Sequence, residues 1–82
     1  MNEIQVRERA IQSHNCFFAQ RKAINNMGCC LTYAATVLPT IEHAGDFTIR
    51  HEVMEHRVTT FYSHTGSHVI TAVKTSTFEA VA

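Results

Sequence analysis

The sequence predicts an α+β fold in which one long N-terminal helix packs on an antiparallel β-meander of three or four strands. Two periodicities and one agreement predict it. Over residues 2–28 the apolar side chains recur at helical spacing, whereas from Asp46 onward they alternate with a period of two. In that second half, two hairpin registers chosen separately put one set of apolar residues on the same face.

Asn2 is placed to cap the helix, and Gln5 stands three residues on, where a capping box takes Glu or Gln. Ile4, Ile11 and Phe18 recur every seven residues, as do Ala10, Phe17 and Ile24, and the two lines together make an apolar stripe. Gly28 sits where a left-handed residue ends a helix. Ser13, His14 and Asn15 are three weak helix formers in a row, and they mark the point at which the helix would divide in two.

In the meander, a two-residue turn at Thr65-Gly66 pairs His64 with Ser67, Tyr62 with Val69 and Val58 with Val73. A second turn at Glu55-His56 pairs Val53 with Val58, Ile49 with Tyr62 and Phe47 with His64. Both registers bring Phe47, Ile49, Val53, Val58, Tyr62, Val69 and Val73 to one face. The other face is mostly polar, with Arg50, Glu52, Arg57, Thr59 and Lys74, but it also sets Phe61 beside Ile70. Residues 29–38 read as a strand or as a short helix ending before Pro39, the alternation of Leu31, Tyr33, Ala35 and Val37 favouring the strand. Glu42 to Gly45 are expected to form the connecting turn.

At 82 residues the chain has room for a single small domain, divided here into a helix over 1–28, the strand or short helix over 29–38, and the meander over 46–78. A hydrophobic fraction of 45% with 17% charged residues is that of a folded domain. Seven basic against seven acidic residues give a formal charge of zero, which argues against a protein built to grip nucleic-acid backbones. The odd set of Cys16, Cys29 and Cys30, without a signal-type start, does not read as a disulfide framework. No apolar run approaches the roughly 20 residues that cross a bilayer, so no membrane partner is expected and the expected location is the cytoplasm.

The most suggestive short stretch is Ser63-His64-Thr65-Gly66-Ser67-His68. In the hairpin its histidines fall on opposite faces, so one metal ion does not hold both and the stretch reads as a strand-end turn. The cysteines and histidines lack zinc-ligand spacing, and no phosphate loop, nucleophile elbow or carboxylate dyad is present. Neither a cofactor, nor a metal, nor an enzymatic activity is therefore expected.

Arg7, His14 and Arg21 also recur every seven residues, and at 100° per residue they fall between the two apolar lines. A buried unpaired charge is strongly unfavourable. Either these side chains lie at the edge of the contact with their heads in water, or the second apolar line faces another molecule and they meet acidic groups there. Phe61 and Ile70 would likewise leave an apolar patch on the far side of the sheet. The expected function is that of a small cytosolic binding or accessory protein, an inhibitor or adaptor in type. It would act by protein–protein interaction as a homodimer, through Arg7, His14, Phe17, Arg21, Phe61 and Ile70. The alternatives are a nucleic-acid-binding module using the basic line of the helix, or a small Cys/His zinc protein.

Overall fold

A computed structural model of the protein describes residues 1–27 and 41–78. Helix α1 (Glu3–Met27) runs unbroken through Ser13, His14 and Asn15. Its start is the expected capping box: the Gln5 amide N–H donates to Asn2 Oδ1 at 2.9 Å and the Asn2 amide to Gln5 Oε1 at 3.1 Å. Two otherwise orphaned helix-start donors are thereby satisfied. Gly28 and the stretch 29–38 lie outside the described residues.

Four antiparallel strands follow in chain order: β1 (Ile41–Ala44), β2 (Phe47–Met54), β3 (Arg57–His64) and β4 (Thr71–Thr77). Glu42 to Ala44, expected as a turn, instead belong to β1, which pairs Ala44 with Phe47 and Ile41 with Arg50. The tight reversal is one step later, at Gly45-Asp46, where Gly45 takes a φ of +62°. The β2–β3 register is the expected one, with Phe47 opposite His64, Ile49 opposite Tyr62 and Val53 opposite Val58.

The β3–β4 register differs from expectation. A turn does form at Thr65-Gly66, closed by the Ser67 amide donating to the His64 carbonyl at 2.9 Å. Of its two central residues only Gly66 has a positive φ, +82°, and a turn of that hand splays the strands rather than continuing the ladder. Pairing therefore resumes only at Thr71, opposite Tyr62, and Val69 is 74% exposed instead of buried. Phe61 lies opposite Ala72 rather than Ile70.

A bulge then inserts Val73 between the pairs Phe61–Ala72 and Thr60–Lys74. Before it Thr71 shares the helix side with Tyr62. After it Lys74, Ser76 and Phe78 turn to that side, since Lys74 Nζ donates to Asn15 Oδ1 on α1, Ser76 lies opposite Val58, and Phe78 is buried with Phe17.

The helix buries a single line, Val6, Ala10, His14, Phe17 and Arg21. At 100° per residue these span an arc of about 80°. The Ala10–Phe17 line faces the sheet as expected, whereas Ile4 of the second line is 71% exposed. Two apolar clusters result: Val6, Ala10, Ala44, Ile49 and Tyr62 at one end, and Phe17, Val58 and Phe78 at the other. Between them, on every element that crosses the middle, stands a polar residue.

The Glu55-His56 hairpin contains one conformational cost. Glu55 holds a φ of +56°, where an L side chain crowds the backbone by about 1–2 kcal/mol. Glu55→Gly removes that crowding and is expected to raise stability by about 0.5–1 kcal/mol after the added chain entropy of glycine. A urea midpoint that falls in this variant contradicts the reading.

Candidate functional site

The polar middle layer is built from five residues on four elements. Ser13 and His14 are adjacent on α1 and point about 100° apart. His51 comes from β2, Thr60 from β3, and Ser76 from β4 by way of the bulge. Thr60 Oγ1 lies 2.7 Å from His14 Nδ1 and 2.6 Å from His51 Nδ1. His14 Nε2 is 2.8 Å from Ser76 Oγ, and His51 Nε2 is 2.8 Å from Ser13 Oγ. His14 and Thr60 are fully buried, and His51 nearly so.

A threonine hydroxyl has one proton to give. Among the described residues the buried Thr60 hydroxyl has these two Nδ1 nitrogens as its only near acceptors, so it donates to the Nδ1 of one imidazole and accepts from the Nδ1–H of the other, and the two neutral rings are opposite tautomers. The chain Ser13–His51–Thr60–His14–Ser76 is thus a relay with two senses, its four hydrogen bonds all running in one direction or all in the other. Both rings are held in place by aromatic neighbours. Phe17 stacks on His51 at 4.7 Å, and Phe18, one turn along, lies parallel to His14 at 6.0 Å.

Burial holds the pKa of both imidazoles below the ordinary 6.5. For His14 the nearby Lys74 ammonium and His51 add to the depression, and for His51 the Glu42 carboxylate partly opposes it.

Along one side of the layer, α1, β1 and β2 enclose an open hollow of about 420 Å³. Ser13, Cys16, Phe17 and His51 line it together with Gln12 and Gln20, and Arg9 closes the rim with a 2.9 Å ion pair to Glu42. The Ser13 end of the relay thus opens on the hollow, and the Ser76 end is also only half-buried. Cys16 is exposed and carries a free thiol. Among the described residues, no three His, Cys, Asp or Glu side chains come together as a metal cluster, while Cys29 and Cys30 lie outside them.

The structure separates the residues singled out from the sequence. Arg7 is exposed, but His14 and Phe17 are buried against the chain's own sheet and do not form an outer surface. Arg21 is also buried, its guanidinium 5.0 Å above the Phe17 ring, with Nε lacking a hydrogen-bond partner among the described residues. The basic line of the helix is therefore not a continuous exposed strip. Phe61 and Ile70 lie on the far face of the sheet, where both border a small hollow of about 60 Å³ with Thr48, Arg50 and Ser63. His64 is exposed at the end of β3, edge-on to Phe47 at 5.1 Å.

No family model matches the chain, and no curated protein or solved structure matches it either. Function has to be argued from the geometry.

Ser13, His51, Thr60 and Ser76 went unrecognised in the sequence, though one signal was present. His51 lies between Ile49 and Val53, and Thr60 between Val58 and Tyr62, so strand parity alone puts both on the helix-facing side. A histidine and a threonine there need partners, and His14 on the buried line of the helix is one.

The depressed imidazoles set a pH dependence. The unfolded chain binds a proton at each histidine near 6.5, whereas the folded one resists it. Stability is therefore full above about 6.5 and declines as the pH falls below it, levelling off only beneath the folded-state values. The groups facing this pair are Arg9, Ser13 and Asn15 from α1, Glu42 from β1, Thr60 from β3, and Lys74 and Ser76 from β4. Urea midpoints measured from pH 8 to pH 5 are expected to drop below 6.5 in the wild type and to drop less in His14→Gln. Equal slopes in the two proteins contradict this assignment.

Proposed function

We propose that the protein is a small cytoplasmic binding protein that acts by protein–protein association, in the first place with a second copy of itself through the outer face of the sheet. The observation that carries this is the Arg50–Phe61–Ile70 surface. Helix α1 covers one face of the sheet, and on the other the Arg50 guanidinium lies 5.2 Å over the Phe61 ring, its Nε buried and without a hydrogen-bond partner among the described residues. Ile70 beside it is 48% exposed, and Met54 and Ile41 on the same face expose 64% and 54%.

A second copy suits this face because its charges are of both signs. Arg50 pairs with Glu52 at 3.1 Å within the chain, and Arg57 lies alongside on β3. Turned about a two-fold axis, such a surface presents Glu52 to the arginines of its mate. Two sheets stacked face to face about 10 Å apart would give a helix–sheet–sheet–helix assembly with Phe61 and Ile70 at its centre. The free orphan on Arg50 would then have an acceptor.

Sedimentation equilibrium tests this directly. The wild type is expected at twice the chain mass of 9.2 kDa, and Phe61→Glu at the single mass with an unchanged circular dichroism spectrum. A wild type that stays at the single mass at several hundred micromolar removes the proposal. Phe17→Glu is not an equivalent probe, because Phe17 belongs to the core and its change is expected to unfold the chain.

A further inference from the structure

We propose that Ser13 and His51 form a nucleophile–base pair that hydrolyses small carboxylic esters entering the helix–sheet hollow. This inference concerns the opposite side of the sheet from the association surface, and either can fail without the other. It goes against the sequence-based expectation of no enzyme, which never set Ser13 beside His51, 38 residues away.

Acyl transfer from an ester requires a hydroxyl, a neutral base within hydrogen-bond reach of it, and a third group that orients the base. All three are present. Ser13 Oγ stands 2.8 Å from His51 Nε2, and His51 Nδ1 is held 2.6 Å from Thr60 Oγ1. In the relay sense that serves the reaction, Ser13 donates to His51 Nε2 and His51 Nδ1–H donates to Thr60. Thr60 in turn donates to His14 Nδ1, and His14 Nε2–H to Ser76. Every ring nitrogen is matched in that sense. Thr60 and His14 are thus positioning residues that fix the tautomer of the base, the part usually taken by a carboxylate.

The surroundings fit the chemistry. Phe17 stacks at 14° on the His51 ring and fixes its plane. Burial keeps His51 unprotonated at neutral pH, so its Nε2 lone pair is free to receive a proton. Gln12, next to Ser13 on α1, also lines the hollow, while the Gln20 carboxamide donates to Cys16 Sγ at 3.7 Å. The hollow of about 420 Å³ is at the small end of ligand sites, which selects a short acyl chain.

The atoms balance without any further reagent but water. Ser13 Oγ bonds to the carbonyl carbon as its proton passes to His51 Nε2. The C–O bond to the leaving alcohol breaks, and the alcohol takes the proton from His51. Water then attacks the acyl-serine, giving its proton to His51 and releasing the acid, and His51 returns the proton to Ser13.

The test is p-nitrophenyl acetate with the full chain, followed by peptide mass spectrometry. The fragment from Ala10 to Arg21 holds Ser13, His14 and Cys16, so fragmentation locates the acetyl group. The expected result is an acetyl on Ser13 and p-nitrophenol release at least about a hundredfold faster than in Ser13→Ala, the low end for positioned general-base help. Because His51→Gln also alters a buried network, the wild-type pH profile is a second readout. The rate should climb with one deprotonation centred below 6.5, in the field of Arg9, His14, Glu42 and Lys74. Thr60→Ser, which keeps the hydroxyl, should retain the profile. Acetyl found on Cys16 instead, or Ser13→Ala hydrolysing at the wild-type rate, overturns the proposal.

Discussion

One hydroxyl, that of Thr60, stands between two buried imidazoles, and the placement of the helix depends on it. A ring nitrogen left unpaired in the interior costs about 1–3 kcal/mol, and the layer holds four such nitrogens. The apolar contacts of α1 are Ala10 and Val6 at one end and Phe17 at the other. A slide of one turn would put Ser13 or Arg21 in the place of Phe17. It would also move His14 about 5.4 Å from both Thr60 and Ser76, which the polar layer forbids.

The bulge in β4 decides which residues of that strand reach the helix. Without the extra residue at Val73, strand parity would carry Thr75 rather than Ser76 to the helix side opposite Val58, and Phe78 would turn away from Phe17. The bulge supplies a hydroxyl to His14 Nε2, a lysine to Asn15 and an aromatic ring to the second cluster. Its cost is an interrupted ladder at one pair. The amide of Phe78, donating to the His56 carbonyl at 2.8 Å, ties the end of that strand back to the neighbouring hairpin. A fold feature and a site feature thus share one cause, and the two faces of the sheet are left with separate tasks: a relay ending in a hollow on one, and an arginine–aromatic surface on the other.

How much of this was legible depended on distance along the chain. The capping box at Asn2 and Gln5 and the Glu55-His56 hairpin are local, and both were readable, along with the whole β2–β3 register. The Thr65-Gly66 turn was readable as a turn but not in its hand, and the hand decides whether pairing resumes at Ser67 or at Thr71. The bulge was out of reach because the partners it serves, Phe17 for Phe78 and His14 for Ser76, lie about 60 positions away. The polar layer was hidden for a related reason. Ser13-His14-Asn15 taken singly looks like a defect in an apolar stripe, and only pairing with Thr60 and His51 shows it to be the centre of the core. Arg21 was misplaced as well, its stem and guanidinium lying on Phe17 rather than reaching outward.

The shared proton of Thr60 is the claim on which the rest stands, and long-range proton–nitrogen NMR correlation of the imidazoles examines it without altering a residue. At pH 7 the account predicts two neutral rings of opposite kind, one of His14 and His51 protonated at Nδ1 and the other at Nε2. Finding the ring protonated at Nε2 to be His14 and that at Nδ1 to be His51 would also give the relay the sense that Ser13 needs. Two rings of the same tautomer, or either ring carrying both protons at that pH, would contradict the account.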